Sequence, residues 1–228
     1  MPFFRYAAYY TPPPGAFADL AASWLGWDLA LGRRVLHPEV PGLPCAVAEL
    51  TETPGRYGFH ATLKPPFQLA PGSDAGDLEA ALRVLAGGLA PARLDGLSLG
   101  EIGGFVALLP EGDTAGVDAL EARLVEGLDR FRAPAPEAEL ARRRGDALTP
   151  AQQANLARWG YPYVMDEFRF HMTLAGPLDE PRRAAVRAAL EPLFAPHCGR
   201  PVTIGEVTLA GEDAAGRFHQ LIRIPLSG

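Results

Sequence analysis

Two short segments of the sequence carry a histidine and a threonine at the same spacing. Residues 59–63 read FHATL, and residues 170–174 read FHMTL, 111 positions later. A pair of imidazoles with pKa values near neutrality can supply a base and an acid to one reaction. Cleavage of a phosphodiester needs both, because one group activates the attacking oxygen while another protonates the leaving oxygen. We therefore predict that His60 and His171 are catalytic. Residue identity alone does not determine which of them is the base.

The residues around each histidine predict a β-strand with one apolar and one polar face. Alternate side chains of an extended strand point to opposite sides. The polar side chains are His60, Thr62 and Lys64 in the first copy and Arg169, His171 and Thr173 in the second. If the two polar faces meet across a pseudo-twofold axis, they form one cleft that suits a phosphodiester.

The polar neighbours of the histidines are candidates for binding the substrate phosphate. The hydroxyl groups of Thr62 and Thr173 would bind non-bridging oxygens, with the strand preference of threonine as the alternative explanation. Lys64 and Arg169 would add positive charge. However, the two prolines at 65–66 can turn the Lys64 side chain away, and a surface ion pair would equally account for Arg169.

Three tyrosines and one arginine are further candidates for substrate contacts. Tyr57, Tyr161 and Tyr163 would stack on a base or sugar, but aromatic residues beside Gly and Pro more often pack at the edge of a core. Arg142 belongs to a run of three arginines on a predicted helix, where such a run is usually a solvated face. A role as a lid over the substrate is the less favoured interpretation.

The segment after each motif predicts the same order of elements, a helix followed by strands. In the first copy these are a helix at 77–89 and strands at 94–99 and 104–109; in the second, a helix at 181–194 and strands at 202–209 and 218–224. We infer an internal duplication. The prediction is a single bilobal domain over 1–228, with pseudo-repeats at about 57–110 and 168–225 and a helical insert at about 132–162.

The rest of the chain predicts a strand, several helices and one irregular stretch. These are a strand at 3–10, a helix at 16–27, irregular chain at 37–56, and helices at 117–131, at 136–144 and from Thr149. Thr149-Pro150 is a typical helix start, and Gly160 followed by Pro162 is a typical stop.

Composition limits the class of protein. Hydrophobic residues make up 48% and charged residues 21%, which is the balance of a globular protein. The net charge of −6 argues against binding a nucleic-acid backbone. No stretch is apolar for the length of a membrane span, and no basic segment precedes an apolar run near the N-terminus. We expect a cytoplasmic protein with no membrane association.

Neither a metal nor a cofactor is expected. Cys45 and Cys198 lie far apart in the sequence without CxxC spacing, so they indicate neither a zinc site nor a disulfide framework. No glycine-rich phosphate loop is present, and Gly103-Gly104 is interpreted as a turn.

With its two His-x-Thr motifs, the sequence resembles the 2H phosphoesterase superfamily. Longer stretches resemble one branch, bacterial proteins often encoded with phosphonate-degradation genes; they are RYGFHATLKPPF, RAP at 132–134, RRR at 142–144, and WGYPYV followed by FRFHMTL. The resemblance implies a duplicated, two-lobed α+β fold, with antiparallel sheets and outer helices around a central cleft. It also implies metal-independent chemistry at cyclic or 2′,5′-linked phosphodiesters, with His60, Thr62, His171 and Thr173 at the matching positions.

The leading hypothesis is a cyclic phosphodiesterase acting on a small phosphorylated metabolite or nucleotide. The substrate would be a nucleoside 2′,3′-cyclic phosphate or a sugar cyclic phosphate. The genomic association of the branch implies phosphoribosyl 1,2-cyclic phosphate, formed during phosphonate breakdown. Two alternatives stay open: a binding module that holds a nucleotide or phosphometabolite without turnover, and RNA processing or ligation at 2′,5′ linkages.

Overall fold

The computed structural model describes residues 3–137, 140 and 148–228. The strands are β1 (Arg5–Tyr10), β2 (Trp27–Asp28), β3 (Arg33–Arg34), β4 (Ala61–Phe67), β5 (Ala92–Leu94), β6 (Gly96–Ile102), β7 (Phe105–Glu111), β8 (Met172–Ala175), β9 (Val202–Ile204), β10 (Glu206–Glu212) and β11 (Phe218–Pro225). The helices are α1 (Ala16–Leu25), α2 (Val47–Leu50), α3 (Pro54–Tyr57), α4 (Ala75–Gly87), α5 (Ala115–Gly127), α6 (Pro150–Trp159) and α7 (Glu180–Phe194).

Two short strand pairs, β2-β3 and β5-β9, accompany two larger antiparallel sheets, which form the two lobes. The first has the strand order β11-β10-β1-β4, and the second has the order β6-β7-β8. The strands that follow the two histidines, β4 and β8, are edge strands of different sheets, and they approach each other between the lobes. This architecture confirms the expected fold class, α+β with antiparallel sheets and outer helices.

The two sheets exchange strands between the two predicted repeats. Strand β4, from the first repeat, lies in the sheet that contains β10 and β11 from the second. Strand β8, from the second repeat, pairs with β7 from the first. Because neither repeat completes a sheet without the other, this exchange favours the single bilobal domain that we propose.

An outer helix packs on each sheet, and these two helices are built alike. Helix α4 packs on β10 and β11, whereas α7 packs on β6 and β7. Each buries apolar residues four positions apart, which are Leu78, Leu82 and Ala86 in α4 and Val186, Leu190 and Phe194 in α7. Each also begins at an aspartate, Asp74 or Asp179, whose side chain accepts a hydrogen bond from a backbone N–H of the first turn.

Several predicted bounds differ from the structure. The stretch 37–56, predicted to be irregular, contains α2 and reaches into α3, because four-residue helices are too short to produce a visible periodicity. The single strand predicted at 202–209 divides at Gly205 into β9 and β10. Strand β9 pairs with β5, whereas β10 pairs with β1. Most of the helix predicted at 136–144 lies outside the described residues.

The remaining predicted helices are present, but several end earlier than predicted; the helix predicted at 16–27 ends at Leu25, and the one predicted at 117–131 ends at Gly127. Helix α6 begins after Thr149, which forms a capping box with Gln152, and ends at Gly160 in a left-handed conformation. Among the described residues, no helix has both the length and the hydrophobicity to cross a membrane.

Trp24 of α1 packs and hydrogen-bonds this helix against the second lobe. Its side chain is fully buried, and its Nε1 donates a hydrogen bond of 2.8 Å to the carbonyl oxygen of Leu174 in β8. The residue therefore combines apolar packing with a buried hydrogen bond to the strand that follows His171.

We predict that Trp24→Phe lowers the free energy of unfolding by roughly 2–4 kcal/mol, since it leaves a cavity and an unpaired carbonyl oxygen. Urea denaturation followed by circular dichroism measures the change. Leu36→Ala, at a side chain that is 90% exposed, is the control and should change stability by less than about 0.5 kcal/mol. Equal stability of the two variants would contradict the role assigned to Trp24.

Candidate functional site

The two histidine motifs line one cleft between the lobes, the central cleft. His60 comes directly before β4, and His171 directly before β8. The cleft has a volume of about 380 Å³. Its lining residues are Arg5, Tyr9, Thr53, Pro54, Tyr57, Gly58, His60, Thr62, Pro65, Pro66, Phe105, Tyr161, His171 and Thr173. The structure therefore brings together both imidazoles and both threonine hydroxyls.

The two imidazoles are held by the same local hydrogen bond. Nδ1 of His60 lies 2.9 Å from the carbonyl oxygen of Gly58, and Nδ1 of His171 lies 2.7 Å from that of Arg169. A carbonyl oxygen only accepts, so each Nδ1 carries the proton and donates it. In the neutral ring, Nε2 is then the unprotonated nitrogen, which is the atom that a general base needs.

Gly58 makes the first of these hydrogen bonds possible. Its φ of 72° lies in the left-handed region, which favours glycine. A Cβ atom at this position would also lie 2.6 Å from Cβ of Leu29. The turn that presents the Gly58 carbonyl to His60 therefore has no room for another residue.

Aromatic rings surround His60 and change its proton affinity. The centroid of the Tyr9 ring lies 3.9 Å from that of the imidazole, and the centroid of the Tyr57 ring lies 5.9 Å from it. Burial lowers the pKa of His60 to about 4, and the neighbouring charge of His171 contributes in the same direction. His60 is consequently neutral at physiological pH.

The two threonines sit beside the imidazoles. Oγ1 of Thr62 lies 3.1 Å from Nε2 of His60, and its hydroxyl donates to this nitrogen. Thr173 borders the cleft from β8, where it pairs with Ala107 of β7. Both hydroxyls are thus placed to donate to an anion held near the imidazoles.

The predicted position of Lys64 on the cleft face is wrong. Strand β4 continues through the two prolines, but its pairing with β1 shifts at Leu63, so that Leu63 and Lys64 both face the core. Lys64 is only 2% exposed; its Nζ donates to the carbonyl oxygen of Val125 at 2.9 Å and lies 3.7 Å from Asp129. Burial lowers the pKa of this amine to about 8. Lys64 therefore stabilises the packing of α5 on β4 and does not reach the cleft.

Arg169 lies next to the central cleft without lining it. Its Nη1 donates to the carbonyl oxygens of Asp166 and Phe168, and its side chain is exposed. Its backbone contributes more directly, because its own carbonyl oxygen holds His171.

The tyrosine candidates divide between two cavities. Tyr57 and Tyr161 line the central cleft. Tyr163 lines a neighbouring cavity of about 370 Å³, the side pocket, which Tyr161 also borders. Its lining residues are Thr62, Pro65, Ile102, Gly103, Phe105, Glu121, Tyr161, Tyr163, Glu167, Phe168, Arg169 and His171. Arg142 lies outside the described residues.

Arg5 and Tyr9 of β1 also line the cleft, on the face opposite to Tyr6, although the sequence did not indicate them. Both side chains point to one side because they are four positions apart in a strand. Arg5 is paired through two nitrogens with Glu212, so its charge is largely compensated. The alternation of side chains along β1 places Arg5 and Tyr9 on one face and could have indicated their shared position. However, the aromatic residues of β1 suggested a strand buried in the core.

Two buried polar atoms at these cavities lack a hydrogen-bond partner among the described residues. They are the hydroxyl of Tyr9, in the central cleft, and Oε1 of Glu121, in the side pocket. Buried polar groups in folded proteins are nearly always paired, so these two atoms are exceptions to that rule. Within the described ranges, no group of three or more His, Cys, Asp and Glu side chains is arranged to hold a metal ion.

The chain is similar to two curated proteins named ribose 1,5-bisphosphate phosphokinase PhnN. It is 38% identical over 231 residues to the protein from Janthinobacterium sp. (strain Marseille), which covers 98% of this chain and 51% of that protein. It is 40% identical over 178 residues to the one from Laribacter hongkongensis (strain HLHK9), which covers 77% of this chain and 41% of that protein. The chain therefore spans about half the length of the curated relatives it matches.

Solved structures with similarity over the whole chain include three proteins. One is described as a phosphoesterase, with 18% identity, a TM-score of 0.45 and full coverage of both chains. Another is E. coli LigT complexed with 3′-AMP, with 17% identity, a TM-score of 0.46 and full coverage of both chains. The third is TT0787 of Thermus thermophilus, with 17% identity, a TM-score of 0.46 and 98% coverage of both chains.

A family model also matches the chain. It is described as "Protein of unknown function (DUF1045)", and it matches residues 62–219, a range that includes Thr62 and the whole second motif. The match extends over more than half of the sequence, and the chain belongs to the DUF1045 family.

Proposed function

We propose that the chain is a phosphodiesterase that hydrolyses a cyclic phosphate on a ribose unit without a metal. The observation that carries the proposal is the matched presentation of two imidazoles to one cleft. In both, a backbone carbonyl fixes the proton on Nδ1 and leaves Nε2 for proton transfer. Opening a cyclic phosphate needs only these two proton transfers and donors for the phosphate oxygens.

His60 is the base in this proposal. Its low pKa keeps Nε2 unprotonated at neutral pH, so that it accepts the proton of the attacking water. Stacking against Tyr9 fixes the ring orientation. A depressed pKa weakens the base, but it ensures that nearly every molecule holds His60 in the reactive form.

His171 is the acid. Its Nε2, when protonated, donates to the ester oxygen that leaves phosphorus. Water forms the new P–O bond, the endocyclic P–O bond breaks, and the proton from His171 converts the leaving oxygen to a hydroxyl group. The proton gained by His60 returns to His171 through solvent, and the product is a phosphomonoester.

The threonine hydroxyls bind the non-bridging oxygens. The Thr62 hydroxyl donates to Nε2 of His60, and rotation about χ1 redirects it to a phosphate oxygen. Thr173 donates from the other side of the cleft. Each contributes one hydrogen bond to the developing charge, which is less than either proton transfer contributes.

The curated relatives are named as kinases that act on a phosphorylated ribose. We propose the ribose unit for this chain, but not the kinase activity. A P-loop kinase needs a lysine after a glycine-rich loop, and the one lysine of the sequence is Lys64, buried in β4. The cleft supports phosphodiester hydrolysis better than phosphoryl transfer from ATP.

We predict that His60→Ala and His171→Ala each lower kcat/KM on adenosine 2′,3′-cyclic phosphate by at least ~100-fold, since each removes one proton transfer. Thr62→Ala and Thr173→Ala should cost roughly tenfold, the value of one hydrogen bond to a charged group. The assay follows product formation by phosphorus NMR in the presence of a chelator.

His197→Ala is the matched control, because His197 packs on Phe17 away from the cleft and should keep wild-type activity. Activity that disappears with chelator and returns with a divalent metal would contradict the proposal. Tight nucleotide binding without any product would instead support the binding-module alternative.

The pH profile tests the assignment of the base. Protonation of His60 inactivates it, and its lowered pKa delays that protonation, so kcat/KM should stay high as the pH falls from 6.5 to 5 and decline only near pH 4. Circular dichroism at each pH verifies that the chain is folded. An acid limb near pH 6.5, the value of an unperturbed histidine, would contradict the assignment.

A further inference from the structure

The two histidines are held by turns of different construction. The carbonyl oxygen that accepts from His60 belongs to Gly58, whose left-handed φ of 72° is favourable for glycine. The carbonyl oxygen that accepts from His171 belongs to Arg169. The chain before this histidine, residues 164–170, contains no glycine. Its conformation therefore depends more on contacts with the rest of the fold.

Met165 is the strained residue of this second turn. With a φ of 59°, it is the one residue other than glycine that has a positive φ among the described residues. This conformation is unfavourable for a residue with a Cβ atom, and it persists only where the surrounding structure imposes it. The turn at 164–167 is therefore held in place by its neighbours.

Glu121 of α5 is the first of these neighbours. The residue is 1% exposed, and its Oε2 accepts a hydrogen bond of 3.1 Å from the backbone N–H of Met165. A polar group is costly to bury unless it is hydrogen-bonded. The bond to Met165 therefore stabilises both the carboxyl group and the strained backbone.

Asn155 of α6 is the second neighbour. It is 8% exposed, and its Nδ2 donates to the carbonyl oxygen of Val164 at 2.8 Å and to Oδ1 of Asp166 at 3.2 Å. Val164 and Asp166 flank Met165 in the chain. Buried side chains from two helices thus bind three successive residues of the turn.

Hydrogen bonds and packing connect this turn to the carbonyl oxygen that holds His171. The backbone N–H of Phe168 donates to the carbonyl oxygen of Met165 at 3.0 Å. Nη1 of Arg169 donates to the carbonyl oxygen of Phe168. Phe168 and Phe170 are buried on either side of Arg169, which limits how far its carbonyl group can rotate. A change at Met165 is therefore transmitted to the imidazole.

We propose that Glu121 and Asn155 are positioning residues for His171. They hold the turn at 164–167 so that the carbonyl oxygen of Arg169 accepts from Nδ1 and leaves Nε2 for proton transfer. Both act through the turn rather than on the imidazole itself. This inference rests on the proposed function, in which His171 is the acid. It explains how the second motif reaches a geometry that glycine gives to the first.

The test measures the tautomer of each histidine directly. Nitrogen-15 NMR of histidine-labelled protein distinguishes a protonated ring nitrogen from an unprotonated one, at a pH where the rings are neutral. In the wild type, His60 and His171 should both carry the proton on Nδ1. Glu121→Met removes the acceptor for Met165 and should convert His171 to a mixture of tautomers. His60 should not change, because its turn has its own glycine.

Glu121→Met should also lower kcat on adenosine 2′,3′-cyclic phosphate by roughly 10- to 100-fold, since a displacement of about 1 Å can have this effect. KM should stay within about threefold, because an acid that acts in the transition state contributes little to ground-state binding. Asn155→Leu loses both hydrogen bonds to the turn and should act in the same direction. It decides the question if Glu121→Met fails to fold.

Glu121→Gln is the conservative replacement. Burial raises the pKa of Glu121 to about 8, against the opposing effects of the Met165 N–H and the Lys64 amine. The carboxyl group is therefore mostly protonated at pH 7, and glutamine keeps its shape and its acceptor oxygen. This variant should keep the Nδ1 tautomer of His171 and most of the wild-type kcat.

Thr208→Val is the matched control for the loss of a buried hydrogen bond. Thr208 is 1% exposed, its hydroxyl pairs with that of Thr11 at 2.7 Å, and it lines neither the central cleft nor the side pocket. It should keep both the tautomer of His171 and kcat.

The outcomes distinguish this inference from the proposed function. Wild-type nitrogen shifts of His171 in both Glu121→Met and Asn155→Leu would overturn the inference even if kcat falls, because the loss would then be a general effect on the fold. The NMR measurement needs no substrate. It therefore still tests the two positioning residues if the wild type hydrolyses no cyclic phosphate, a result that would overturn the proposed function.

Discussion

The hydrogen bond from each imidazole to a backbone carbonyl two residues earlier is the constraint on which the account depends. Gly58 serves His60, and Arg169 serves His171. In both, the bond places the proton on Nδ1 and leaves Nε2 unprotonated in the neutral ring. Because the partner is backbone, the arrangement depends on the turn before each strand and not on a third side chain. Loss of either turn would leave a histidine without a defined tautomer.

The exchange of strands between the predicted repeats brings the two histidines to one cleft. Strands β4 and β8 are edge strands of different sheets; β8 pairs with β7 from the first predicted repeat, and β4 pairs with β1, which in turn pairs with β10 from the second. Contacts such as that of Trp24 with the carbonyl oxygen of Leu174 then fix the second motif strand to α1. The distance between the imidazoles is therefore a property of the whole fold, so substitutions far from the cleft can alter activity through it.

Sequence alone predicted the motif pair, its cleft and most of the elements, because strand alternation and helix spacing are local signals. His60, Thr62, His171 and Thr173 all line the central cleft, as their spacing indicated. The prediction that Lys64 faces the cleft was wrong because a bulge at Leu63 changes the face of the residues that follow. A single sequence does not reveal such a bulge. Arg5, Tyr9 and Glu121 come from elements distant in the chain, so only tertiary packing brings them to the site.

The central claim is that water attacks phosphorus between two histidines. It is tested most directly by hydrolysis of adenosine 2′,3′-cyclic phosphate in oxygen-18-labelled water with a chelator present, followed by phosphorus NMR of the product. The account predicts a phosphomonoester that carries one labelled oxygen on phosphorus. A label found on the ribose carbon, or a product without labelled oxygen on phosphorus, would contradict it.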